Sequence, residues 1–97
     1  MKVTTKSGFK FEIDERVIED YRMIEALKKA DNTDDPGEML NGTVEVVDLV
    51  FGADKARLME HIKGLNDGFV PTSAIREELD SVFARVKALK NSGSSRG

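Results

Sequence analysis

The sequence predicts a mainly α protein, with an N-terminal β-hairpin followed by about four helices in a small helical domain. Three observations predict it. Apolar and polar residues alternate with period two only across residues 1–13. Beyond them the apolar residues recur at spacings of three and four, the mark of one helix face. At each change of pattern stands a capping or turn signal: Asp14, Asp35-Pro36-Gly37, Gly52, and Asn66-Asp67-Gly68.

In the hairpin, Val3 and Thr5 alternate before the turn Lys6-Ser7-Gly8, and Phe9, Phe11 and Ile13 alternate with Lys10 and Glu12 after it. Two strands alone are marginal in water. The Phe9, Phe11, Ile13 face is therefore expected to dock, on the chain's own helices or on the hairpin of a neighbouring subunit. Asp14 then caps a first helix reaching about Ala30, whose inward stripe is Val17, Tyr21, Ile24 and Leu27, with Ile18 beside it. Glu15, Arg16, Glu19, Arg22, Glu25, Lys28 and Lys29 form its solvated face, and Glu25 precedes Lys29 in the favourable orientation for an exposed pair.

Asp35, Pro36 and Glu38 supply a cap, a proline at the first helical position and a reciprocal acid at the third. A second helix starts there. Its β-branched residues from Thr43 to Val50 invite a strand, yet Glu38, Asn41, Glu45, Asp48 and Gly52 recur at three and four, so helix is the reading. That helix presents one narrow polar stripe and must bury almost everything else.

Gly52 breaks the pattern, and Asp54 opens a shorter helix ending near Gly64, with Leu58, Met59, Ile62 and Leu65 inward and Lys55, Arg57, Glu60, His61 and Lys63 outward. After the turn, Thr72 or Ser73 caps a last helix whose seam is Ile75, Leu79, Val82, Val86 and Leu89. The seam covers barely two heptads, so it fits packing on the chain's own helices as well as on a helical partner. Residues 1–90 are read as one domain, the hairpin (1–13) included, and residues 91–97 as a flexible tail.

Composition bounds the chemistry. The chain has 97 residues, 39% hydrophobic and 34% charged, enough for one modest core. A net charge of -3, from 15 Lys and Arg against 18 Asp and Glu, gives no electrostatic reason to seek nucleic acid. With no cysteine there is neither disulfide nor thiolate chemistry. No apolar run reaches signal-peptide or membrane-spanning length, so neither export nor a membrane partner is expected.

Candidate catalytic groups are sparse. His61 is the only histidine, and its neighbour Glu60 points about 100° away on a helix, so the two form no dyad. Asp67-Gly68-Phe69-Val70 resembles the middle of an EF-hand loop, but with Gly68 at the sixth position the first, third and twelfth fall on Lys63, Leu65 and Ala74, which cannot ligate calcium. The acidic residues Asp31, Asp34 and Asp35 read as caps and solvated charge, and Asn41-Gly42-Thr43 as a chance sequon inside a helix. No metal, cofactor or catalytic residue is assigned.

The order of the pieces carries a resemblance. Lys-Val-Thr-Thr-Lys-Ser-Gly-Phe forms the hairpin, Asp20-Tyr21-Arg22 follows on the first helix, then Val46-Val47-Asp48-Leu49-Val50-Phe51-Gly52 and Arg57-Leu58-Met59-Glu60-His61. Asp67-Gly68-Phe69-Val70-Pro71 leads into Glu77-Glu78-Leu79-Asp80-Ser81-Val82-Phe83. Over residues 1–91 the chain resembles the small tail assembly chaperones of long-tailed (siphophage-type) phages and prophages of Gram-positive bacteria. The resemblance implies a non-enzymatic factor in the host cytoplasm that oligomerises, coats the tape-measure protein, helps recruit tail-tube protein, and is left out of the virion. Candidate contact residues are Met39, Val46, Leu49 and Val50 on the second helix and Leu79, Val82, Phe83 and Val86 on the last, burial inside the monomer being the competing fate. The family often makes a longer product by frameshifting near the end of the frame, and Leu89-Lys90-Asn91 is compatible with a slippery codon run. The alternative is a small helical regulatory or DNA-binding protein, with a helix-turn-helix drawn across residues 54–88.

Overall fold

A computed structural model describes the backbone of residues 1–94 and the side chains of residues 1–88. The chain is mainly α with an N-terminal antiparallel hairpin: β1 (Lys2–Thr4), β2 (Lys10–Glu12), α1 (Tyr21–Ala30), α2 (Pro36–Phe51), α3 (Lys55–Leu65) and α4 (Thr72–Ser94). Two short 3-10 turns, Glu15–Glu19 and Gly52–Asp54, precede α1 and α3. The contacts divide the chain into two compact units, one of Met1–Glu12 with the chain from Arg57 onward, the other Ile13–Ala56.

In the first unit the strands pair Lys2 with Glu12, Val3 with Phe11 and Thr4 with Lys10. The register follows from the turn. The Thr5 carbonyl accepts from the Gly8 N–H at 2.9 Å, the Thr5 N–H donates to the Phe9 carbonyl, and Gly8 takes φ +91, the left-handed position of a three-residue hairpin loop. Val3, Thr5, Phe9 and Phe11 are buried as the alternation predicts. The Phe9 and Phe11 rings lie 5.7 Å apart, and α4 packs along β1.

α3 buries Leu58 and Ile62, and α4 buries Ile75, Leu79, Val82 and Val86. The seam read on the last helix is thus covered within the chain as far as Val86; the Leu89 side chain lies outside the described ones. Leu65 departs from its expected inward place and is exposed, because α3 is already ending there. The Gly68 N–H reaches back to the Lys63 carbonyl at 2.9 Å, closing the helix with Asp67 in the left-handed region at φ 53. Thr72 is the first residue of α4 rather than its cap: the Pro71 carbonyl receives the Ala74 and Ile75 N–H groups. α4 also runs to Ser94, past Asn91 where the sequence places the tail, while residues 95–97 lie outside the described ones.

The second unit corrects the first predicted helix. Asp14 caps only the 3-10 turn, accepting from the Arg16 N–H at 3.0 Å; Asp20, extended at ψ 132, accepts from the Arg22 N–H and starts α1 anew. The new start turns the helix. Met23 and Ala26 face inward, whereas Tyr21 (70%) and Ile24 (54%) of the predicted stripe are exposed.

α2 begins as predicted, with the Asp35 carboxylate accepting the Glu38 N–H at 3.1 Å and Pro36 at the first position. The reciprocal bond of a capping box is replaced: the Asp35 N–H goes to the Asn32 carbonyl. Residues 43–50 are helical despite their β-branching, and Val46, Val47, Val50 and Phe51 are buried. α1 and α2 meet backbone to backbone at Gly42, where a Cβ would fall 2.7 Å from both the Ala26 oxygen and the Lys29 carbonyl carbon and closer still to the Ala30 nitrogen. Beside this contact Lys29 Nζ bridges to Glu45 Oε2 at 3.0 Å.

Candidate interaction surfaces

The eight candidate contact residues do not form an exposed face. Val46, Val50, Leu79, Val82 and Val86 are buried, and Met39, Leu49 and Phe83 are half-buried. What the structure exposes instead is Tyr21 and Ile24 on α1, Leu40 and Val44 on α2, and Leu65 and Phe69 around the turn before α4. The exposed face of α2 is therefore wider than the predicted polar stripe. Leu40 and Val44 sit roughly 160–200° around α2 from Gly42, and Tyr21 and Ile24 occupy the far side of α1 from Ala26. The small residues Ala26, Ala30 and Gly42 are the sequence signal that fixes which faces these helices bury.

Phe69 is 71% exposed on the turn shaped by Asp67 and Gly68. Positive φ at both residues reverses the chain over a few positions. The Asn66 side chain closes the turn by donating to the Ile62 carbonyl at 2.9 Å.

Polar side chains of the first unit gather at the hairpin turn. His61 Nε2 stands 3.0 Å from Ser7 Oγ and 3.2 Å from the Ser7 carbonyl oxygen, and its ring packs 5.4 Å from that of Phe9. The Arg57 guanidinium lies over the other ring system, 4.7 Å from the Phe9 centroid. Ser7 Oγ is 3.2 Å from Thr5 Oγ1, which donates to the buried Glu78 carboxylate at 2.6 Å and accepts from the Phe9 N–H. A nucleophile activated by histidine needs that imidazole oriented by a third group. Here the carboxylate engages Thr5 and not the imidazole, so the chain of bonds fixes the hairpin turn against α3 and α4.

Charges on the second unit are paired locally. The Arg16 side chain bonds Asp14 and holds its carboxyl down at about 2, helped by the Arg16 backbone N–H; Arg22 does the same to Asp20, also to about 2. In return each guanidinium's pKa is raised by its aspartate. Lys29 is raised by its bond to Glu45, and Lys55 Nζ meets Asp48 Oδ1 at 2.6 Å. Of the acidic linker, Asp35 caps α2 and the Asp34 N–H turns to Asn32 Oδ1. Among the described residues no three His, Asp or Glu side chains gather as a metal cluster, and no helix is long and apolar enough to cross a membrane.

No protein-family model matches the chain, and neither a curated protein nor a solved structure matches it.

Proposed function

We propose that the chain is a non-enzymatic tail assembly chaperone of a long-tailed phage or prophage, which self-associates, binds the tape-measure protein and helps bring tail-tube protein to it. The observation that carries this reading is the ordered run of motifs across residues 1–91, from the Lys-Val-Thr-Thr-Lys-Ser-Gly-Phe hairpin to Glu77-Glu78-Leu79-Asp80 on α4. The exposed apolar pairs support it. Tyr21 with Ile24 and Leu40 with Val44 offer helix-spaced anchors to a long helical client, and Phe69 adds an aromatic one. Each patch is small, and many copies along one client convert weak contacts into avidity. The contact residues of this proposal are accordingly the exposed ones, while Met39, Leu49 and Phe83 are half-buried.

Deletion of the gene from its resident phage tests the proposal. Filled heads without tails are expected, with tails restored by the gene in trans and the protein absent from purified virions. Normal tails in the deletion strain would refute it. Duplex DNA at low salt separates the alternative, since a DNA-binding helical protein shows salt-dependent affinity there.

A further inference from the structure

Asn41-Gly42 places a self-reactive pair of residues at the backbone contact between α1 and α2. An asparagine followed by glycine carries its own nucleophile, because no side chain shields the glycine nitrogen from the asparagine side-chain carbonyl. When that nitrogen attacks, a C–N bond closes a five-membered succinimide and the side-chain amide nitrogen leaves as ammonia. Water then opens the ring at one carbonyl to give aspartate, or at the other to give isoaspartate, whose main chain runs through the side-chain carbons. Asn32, Asn66 and Asn91 precede Thr33, Asp67 and Ser92 instead, whose side chains hinder the same attack. The fold withholds the reaction at Asn41 through the backbone alone, since the Asn41 side chain is exposed. In α2 the main chain is held at a helical ψ of about −42°, and the Gly42 N–H is committed to the carbonyl of Glu38, four residues back. Gly42 is buried, and the side on which a Cβ would stand is closed by the Ala26 oxygen, the Lys29 carbonyl carbon and the Ala30 nitrogen.

We propose that Asn41 is a deamidation site gated by the opening of α2, and that its isoaspartyl product cannot return to the native contact with α1. The nitrogen reaches the side chain only in those local openings that free the Gly42 N–H and turn the Asn41 backbone out of the helix. The isoaspartyl link then adds one main-chain atom ahead of Gly42, about 1.5 Å of chain. Gly42 no longer fits against Ala26 and Ala30, and the Lys29–Glu45 bridge beside it loses its register. The aspartyl product keeps the normal backbone and places its new charge at an exposed position, so it refolds. The two products therefore part in fate. α1 and α2 carry Tyr21, Ile24, Leu40 and Val44, so each isoaspartyl event also removes the exposed apolar pairs, whichever client the chain serves.

The test is peptide mapping by mass spectrometry of the full chain incubated in mildly alkaline buffer, with isoaspartyl methyltransferase labelling to tell the two products apart. Deamidation at Asn41 is expected at least about tenfold slower in the folded chain than in the same chain unfolded by urea. Val46→Ala removes buried packing from α2 and should speed the reaction about tenfold while the chain still folds. The isoaspartyl fraction, separated by ion exchange, should melt well below the parent by circular dichroism, whereas Asn41→Asp should melt with it. Equal rates in the folded and unfolded chain would overturn the gate, as would a rate that a folded Val46→Ala protein leaves unchanged. An isoaspartyl protein that melts with the parent would overturn the claim that the product cannot return to its contact.

Discussion

Gly42→Ala adds a single methyl where α1 and α2 touch, and the structure sets its cost. The new carbon would stand 2.7 Å from two backbone atoms of α1 and closer to a third, inside the 3.0 Å that real Cβ atoms essentially never cross. Backbone cannot rotate away as a side chain would. Relieving the two 2.7 Å contacts to an ordinary 3.4 Å already means parting the helices by 3.4 − 2.7 = 0.7 Å, and the closer Ala30 nitrogen demands more, which loosens the packing around Met23, Ala26 and Val46. Overpacking of this kind costs about 1–3 kcal/mol, here at the upper end, and the better helix propensity of alanine returns about 1. The net is a loss of about 2 kcal/mol, or roughly 8–16 °C in Tm for a chain of this size. Urea and thermal unfolding by circular dichroism measure it. Gly64→Ala is the control, because a Cβ there meets nothing within 4 Å and the same methyl should stabilise by about 0.5–1 kcal/mol. A Gly42→Ala protein as stable as the parent would refute the backbone contact and the placement of both helix faces derived from it.

Other outcomes follow from single contacts. Thr5→Val leaves the buried Glu78 carboxylate without its 2.6 Å donor and should cost about 1–3 kcal/mol, most of it recovered when Glu78→Leu is added, as a double-mutant cycle in urea would show. Asp67→Gly relieves a left-handed residue and should gain about 0.5 kcal/mol, whereas Asp67→Val should lose about 1–2 by the same unfolding assay. Acid should weaken the caps of the second unit: Asp14 and Asp20 are lowered from 3.8 to about 2, so their contribution is full above pH 3.8 and lost as pH falls through 2. Asp20→Asn should flatten that part of the pH dependence of stability.

How far the sequence could be read depended on whether a pattern was local. The hairpin was legible because period two, Gly8 and the Val3–Phe11 pairing all lie within a dozen residues. The start of α2 was legible because Asp35-Pro36 acts on the next turn only. The break at Asp20 was not read, although Asp14-Glu15-Arg16 and Asp20-Tyr21-Arg22 are the same device used twice: an aspartate that accepts the N–H two residues on and holds the arginine there. A helix continuous from Asp14 places Tyr21 and Ile24 inside; the restart at Asp20 turns both outward. The contact residues failed for a different reason. An amphipathic stripe marks the face that must be covered, and Val46, Val50, Leu79, Val82 and Val86 are covered within the chain. Exposed apolar residues such as Leu40 and Val44 stand off the stripe, and only the close approach at Gly42 tells which side of α2 they occupy.

The proposed binding and shielding of a tape-measure protein is checked by co-expression with the tape-measure protein of the same phage or prophage. Size-exclusion chromatography with light scattering should find a complex with several copies of this chain on each client, which Tyr21→Lys with Val44→Lys disrupts while leaving the fold intact. A client that elutes apart from the chain at every salt concentration, with both proteins folded, would contradict the claim.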